Sequence, residues 1–461
     1  MDDLIAQLIQ HFAAVQNANE QIREPSNAAI IQFIQTDPFK FIFCASQILK
    51  LDHLDMQIYQ MSIICIGRAL TPTVFVSVDL MAQQFLNPAN DIQRRTIKEA
   101  LFRCLMFDNQ VIRGQASYCI NILFQIEKNQ WSDLLPALFE LAASDKYPIC
   151  AHSGAIQCFT QLLNPQIPIS IFSEVIPNFY ELITSNLLIP DKIPNDFYEV
   201  CFKSYLSILN SLLETSNIND EMAQKCFQII NAKFKTEIED TNLLLDALLV
   251  FFKGLYSTSI LDHISTYLTI TQEILHKGSY DDQLNAINFW IEAAKFESMV
   301  NQSERKNIIE CIATSFFPFL AKIIIADFRN EDMFKEMLDT NSPTFEEPQA
   351  FRYGHKCLSK FYLAAPEMIT ELVLKFWKES FTTPENQIVA LVALRSILTR
   401  RCRNNFLEEF LESDSTRQTI LSLLRSDNPI LGLFAMMLIQ KAIREFSSFI
   451  RNDEQITTLI S

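Results

Sequence analysis

A helical pair that cannot bury its own apolar face is written several times along this chain, and that repetition limits the folds open to it. The segment from Asp108 to Pro136, DNQVIRGQASYCINILFQIEKNQWSDLLP, shows the unit. Ile112, Ala116, Ile120 and Leu123 recur at helical spacing, so 109–126 presents one apolar face while Arg113, Gln115 and Gln125 point elsewhere. Asp108 stands where an N-cap belongs, its carboxylate able to accept from free first-turn amides and favoured there by the helix dipole. Asn129 is expected to open the second helix, with Trp131 early in it and Leu134, Leu135, Leu138 and Leu141 as the buried stripe. One such pair leaves a face bare, and copies stacked on both sides cover it.

The same grammar, an acidic residue followed by large and small apolar residues at helical spacing, starts again near Asp145, Asp196, Asp240, Asp281, Glu385 and Asp427. The period is about 40 residues, in the range of HEAT and armadillo repeats, and the wide step from Asp281 to Glu385 holds two units and an insertion. Earlier pairs are expected at 2–17 with 19–35, the latter kinked at Pro25, and at 39–50 with 55–70. A weaker helix is expected at 74–87, ahead of one over 91–106. Seven glycines in 461 residues leave few punctuators for hairpins, and no linker divides the chain. The expected fold is all-α, a right-handed superhelical solenoid of about ten repeats over 1–461. Within it, 1–144 forms N-terminal repeats, 145–302 middle repeats and 351–461 C-terminal repeats. The stretch 326–350 breaks the apolar period and gathers Asp327, Glu331, Asp332, Glu336, Asp339, Glu346 and Glu347, which reads as an acidic loop between helices 303–325 and 351–364.

Net charge of −16 argues against a nucleic-acid groove and for basic partners. The eleven cysteines lack metal spacing and fall mostly in apolar stripes, as reduced core residues do. The six histidines form no metal or catalytic motif, and no phosphate-binding glycine loop or nucleophile elbow is present. His152-Ser153 reads as a polar pair on a helix surface. No enzyme activity and no cofactor or metal is therefore expected. No segment reads as a membrane span, because the uncharged run from Tyr147 to Ser173 is broken by Pro148, Pro165 and Pro168. The acidic N-terminus is unlike a signal peptide.

IRGQASYCINILFQIEKNQWSDLLPAL, with its Asn129-Gln130-Trp131, resembles the third and fourth HEAT repeats of importin-β (karyopherin-β) nuclear transport receptors. DDQLNAINFWIEAA at 281–294, with Asn288-Phe289-Trp290, is similar to the seventh-repeat inner helix, and the acidic stretch before Phe351 looks like the eighth. The resemblance covers roughly 1–446 and implies a receptor that binds import cargo or an adaptor, docks FG nucleoporins and releases cargo to Ran-GTP. It further implies basic import signals or an importin-α-type adaptor as ligands, and shuttling between cytoplasm and nucleus. Carried over, the Ran surface would lie on helices 19–35, 55–70 and 109–126, with Arg113, Glu331, Asp332, Glu346 and Glu347. The FG slot would use Ile176, Tyr180 and Phe227.

The sequence departs from the family at three places. Its loop acids are dispersed with Pro348 at the tryptophan position, Pro177 replaces a small polar residue at the slot, and the family continues to nearly twice this length. A short receptor and the N-terminal half of a longer one are both open, as is a HEAT scaffold of a phosphatase or vesicle-coat complex.

Overall fold

The computed structural model describes residues 2–71, 78–163, 167–215, 217–234, 241–328, 349–399 and 405–445, which contain twenty-two α-helices and no strand. They pack as two compact units, one of residues 1–217 with 224–238 and the other of 218–223 with 239–461.

The first unit is built of antiparallel pairs. α1 (Asp2–Val15) packs on α2 (Glu20–Thr36), α3 (Pro38–Lys50) on α4 (Met56–Leu70), and, after α5 (Val78–Leu86), α6 (Asp91–Cys104) on α7 (Gln110–Ile126). α8 (Leu134–Ala143) with α9 (Ile149–Leu162) and α10 (Ile176–Leu187) with α11 (Asn195–Glu214) follow, and α12 (Asp220–Phe234) comes next in the chain. The second helices form a row, α4 on α7, α7 on α9 and α9 on α11.

In the second unit α13 (Thr241–Leu255) precedes the pair α14 (Ile260–Lys277) and α15 (Tyr280–Met299). Then come α16 (Ile308–Phe328) with α17 (Gln349–Ala364) and α18 (Pro366–Ser380) with α19 (Pro384–Ile397). α20 (Asn405–Glu412), α21 (Asp414–Leu424) and α22 (Pro429–Glu445) complete it. Here the row runs α13, α15, α17, α19, α22.

Short polar side chains start these helices, one residue or so away from the acids that mark the repeats. The α7 cap is Asn109, whose Oδ1 accepts from the Ile112 amide, and not Asp108. Ser279 caps α15 with Asp282 closing a capping box, and Thr383 caps α19. The acids Asp196, Asp281 and Glu385 lie instead in the first turn, where they still meet the dipole without accepting the cap bond. Asp145 precedes α9 by a turn and Pro148 starts that helix. Asn129 opens no helix either. Lys128 and Asn129 take left-handed backbone angles (φ 53° and 64°) and the Asn129 amide donates back to Phe124, which ends α7, so that α8 begins at Leu134.

Aromatic packing fills each unit. In the first, Phe159 and Phe179 stack at 3.9 Å, and Trp131, almost buried, lies under the Lys98 ammonium at 4.3 Å. In the second, fully buried Trp290 is ringed by Phe252, Phe289 and Phe316, and its Nε1 donates to Thr271 at 3.1 Å. By length and composition alone, Ile308–Ile325 of α16 is long and apolar enough to cross a membrane, a stretch the sequence reading did not weigh. Pro318 interrupts it, and Ile308, Ile312, Phe316, Leu320 and Ile324 are buried among neighbouring helices, as in the core helix of a stack.

Candidate partner-binding surfaces

The row α4, α7, α9 contains two of the three helices from which a Ran surface was expected, α4 and α7 but not α2, and its geometry is set by close backbone approach. A Cβ at Gly154 of α9 would stand 2.1 Å from the Leu105 carbonyl oxygen, so only glycine lets α9 lie against the end of α6. Arg113 belongs to the same junction. Its side chain runs past Gly154, and Nη1 donates to the Phe107 carbonyl at 2.8 Å. With 9% of its surface exposed it braces the turn between α6 and α7, and the structure places it inside rather than at the edge of an open surface. Sequence spacing could not reveal this, because an arginine off the apolar stripe reads as solvated until the preceding turn folds over it.

Apart from the exposed Arg68 of α4, the exposed part of this row is uncharged. Gln115 sits over Gly67 and Gln157 over Gly114, within 3.3 and 3.4 Å of where a Cβ would be, and Tyr118 bonds Thr71 hydroxyl to hydroxyl at 2.9 Å.

The residues expected to line an FG slot are brought together but closed. Ile176 and Tyr180 on α10 and Phe227 on α12 expose 4%, 5% and 8% of their surface. The two helices are tied by Lys225, which pairs with Glu181 at 2.6 Å and lies over the Tyr180 ring at 5.8 Å. Tyr180 packs on buried Tyr205, whose hydroxyl is pushed well above its usual pKa by burial. This is core packing, with all three side chains buried. Glu331, Asp332, Glu346 and Glu347 lie outside the described residues; α16 extends to Phe328 and α17 begins at Gln349, shortening the expected loop at both ends.

In the second unit a polar cleft lies between α13 and α15, which sequence reasoning did not single out. It is lined by Asn242, Asp246, Asn285, Asn288 and Glu292 over a floor that includes Phe289. The signal was present as Asn/Asp at a four-residue step on α13 and Asn, Asn, Glu at three- and four-residue steps on α15. Both sets lie opposite the buried Leu244, Leu248 and Ile287. The three amides make no hydrogen bond among the described residues. Glu292 meets Lys295 at 3.3 Å. Burial raises the Asp246 carboxyl above its ordinary pKa, with Lys253 pulling it partly back. Paired amides can donate to and accept from an extended peptide backbone, and the carboxylates can take a Lys or Arg head while Phe289 covers its stem.

The thiols show why the cysteines are chemically quiet. Burial pushes Cys65 up to about 11 and Cys104 up to about 12, so both stay protonated near neutral pH. Of the His152-Ser153 pair, His152 is half-buried with Nε2 3.1 Å from the Ser144 carbonyl, and Ser153 is buried, which corrects the expected surface placement.

No protein-family model matches the sequence, and no curated protein matches it. Solved structures do match. A crystal structure of importin β superposes with a TM-score of 0.71 at 13% identity, covering 98% of this chain and 52% of that one. Yeast importin-β (Kap95p) gives 0.74 at 14%, covering 100% and 53%, and a Kap95:Nup1 complex gives 0.73 at 14%, covering the same shares. Kap121p bound to RanGTP gives 0.66 at 13%, covering 98% and 42%. The chain therefore has the fold of the importin-β-like karyopherins, a HEAT-repeat solenoid. It spans about half the length of the structures it matches.

Proposed function

We propose that this chain acts as a nuclear transport receptor, recognising its partners by surface contact and without chemistry. The observation that carries the reading is the likeness to karyopherins over 98–100% of the chain. Structures of that fold have been solved with RanGTP and with Nup1. In this reading the second helices α2, α4 and α7 offer the Ran-GTP surface, with Arg113 as an internal brace, and Glu331, Asp332, Glu346 and Glu347 extend it. The α13/α15 cleft holds a basic import signal or the basic segment of an adaptor. An FG nucleoporin contact at Ile176, Tyr180 and Phe227 would require α10 and α12 to part, because those side chains are core in this state. The protein would then move between cytoplasm and nucleus.

A pull-down with Ran loaded with GTP or GDP tests the reading. Capture of the GTP form in preference to the GDP form is expected. Equal capture of both, or of neither, would sink the Ran-gated version, and a fixed set of co-purifying subunits with no Ran would favour a scaffold.

A further inference from the structure

α17 carries no acidic residue, and Arg352, Lys356 and Lys360 follow one another on it at four-residue steps. That step places them along one side of the helix. It is the side left uncovered. Gly354, Cys357, Leu358, Phe361 and Tyr362 turn into the packing with neighbouring helices, whereas Arg352 and Lys356 are exposed and Lys360 is half-buried. None of the three makes an ion pair among the described residues.

Of the four carboxylates of the adjacent α15, Asp281 lies in the first turn and the other three are engaged elsewhere. Asp282 closes the Ser279 cap, Glu292 meets Lys295, and Glu297 is buried against the start of α16. Three like charges in a row on a helix repel one another, and nothing described here offsets that cost. In a chain of net charge −16 the stripe is not needed for solubility, and it opposes the sign of the nearby cleft.

We propose that this stripe is a docking site for an acidic peptide segment of a partner protein, bound in extended form along α17. Arg352 can grip one carboxylate through two parallel N–H bonds, and Lys356 and Lys360 act as point charges for two more. The spacing selects the segment. Four helical residues rise about 6 Å, and alternate side chains of an extended chain are about 6.7 Å apart. A segment with Asp or Glu at every second position therefore presents its carboxylates in step with the three cations. The inference does not depend on whether the chain binds Ran.

The test uses the full chain and a fluorescent peptide of roughly ten residues with Glu at alternate positions and Ser between, read by anisotropy at about 50 and 150 mM salt. Saturable binding that weakens with salt is expected. The R352Q/K356Q/K360Q variant should lower affinity at least about tenfold. Glutamine keeps helix propensity, and an unaltered thermal melt separates lost docking from lost folding. A peptide of the same composition with its Glu residues in one block should bind less tightly. Absence of saturable binding to the unmodified chain, or equal binding by the triple variant, overturns the proposal. So does a severalfold rise in affinity on E346Q/E347Q, which would assign the stripe to the chain's own acidic stretch.

Discussion

The second-helix rows of the two units share a packing rule and differ in what they leave for a partner. In the first, Gly154 lets α9 meet the backbone at Leu105, and the surface of α7 and α9 is lined by amides, with Gln115 and Gln157 laid over Gly67 and Gly114 and Arg68 of α4 exposed beside them. In the second, Gly354 of α17 faces only the side chain of Ile324, and the surface is charged, with a cleft holding Asp246 and Glu292 and a stripe of Arg352, Lys356 and Lys360. Stacking and surface charge are therefore encoded separately. Residues facing the next helix fix how closely helices pack, and the residues between them are free to carry either sign.

The largest effect that tests this comparison is at the two glycines. Gly154→Ala must push a backbone carbonyl aside, since a Cβ would lie 2.1 Å from it, and should cost about 3 kcal/mol, at the upper end of overpacking penalties. Gly354→Ala meets the Ile324 side chain at 2.7 Å, which a rotamer change relieves, and should cost about 1 kcal/mol. Urea unfolding of each variant measures the difference. Equal losses would show that the approach at Leu105 is no tighter in practice than that at Ile324.

The next effect is at Glu297, which has no counterpart described in the first unit's row. It is 1% exposed and accepts from the Tyr256 hydroxyl at 2.6 Å and from the Ile308 and Ile309 amides at 2.8 and 2.9 Å, closing the N-terminus of α16. Glu297→Ala leaves these buried donors unmatched and should cost about 3 kcal/mol. Glu297→Gln keeps an accepting oxygen and should cost about half as much, by the same reasoning. A denaturation midpoint unmoved by the alanine change would mean that water replaces the carboxylate without loss.

The stack was legible in the sequence because apolar periodicity is dictated by burial, which acts on every repeat alike. Ile112, Ala116, Ile120, Leu123, Leu138 and Leu141 are buried as their spacing required, and Trp131 and Trp290 are core side chains. Helix starts were displaced from Asp108 to Asn109 and from Asn129 to Leu134, because capping and left-handed turns depend on local hydrogen bonds that hydrophobic patterning does not see. The surfaces were least legible. Arg113, Tyr180 and Phe227 have side chains that suit either an interface or a core, and only the neighbouring helix decides. The α13/α15 cleft needs two helices about 40 residues apart in sequence to be placed side by side before its amides and carboxylates form one set.

The smallest effect concerns recognition and leaves the fold intact. D246N/E292Q should weaken binding of a Lys/Arg-rich peptide about tenfold, or about 1.4 kcal/mol, while replacing the first unit's Gln115 or Gln157 should not. The pH dependence sharpens this. Burial raises the folded-state pKa of Asp246, so its ionised form is disfavoured in the fold, and the folded state gains relative stability as pH falls through that raised value. Peptide affinity moves in the opposite sense. A bound cation favours the carboxylate, so affinity should fall as pH drops through the raised pKa, before an ordinary aspartate of about 3.9 would begin to protonate. Isothermal titration in buffers of different ionisation enthalpy would register protons released on binding in that window. A D246N protein that keeps the same pH profile would remove Asp246 from the recognition of the cation.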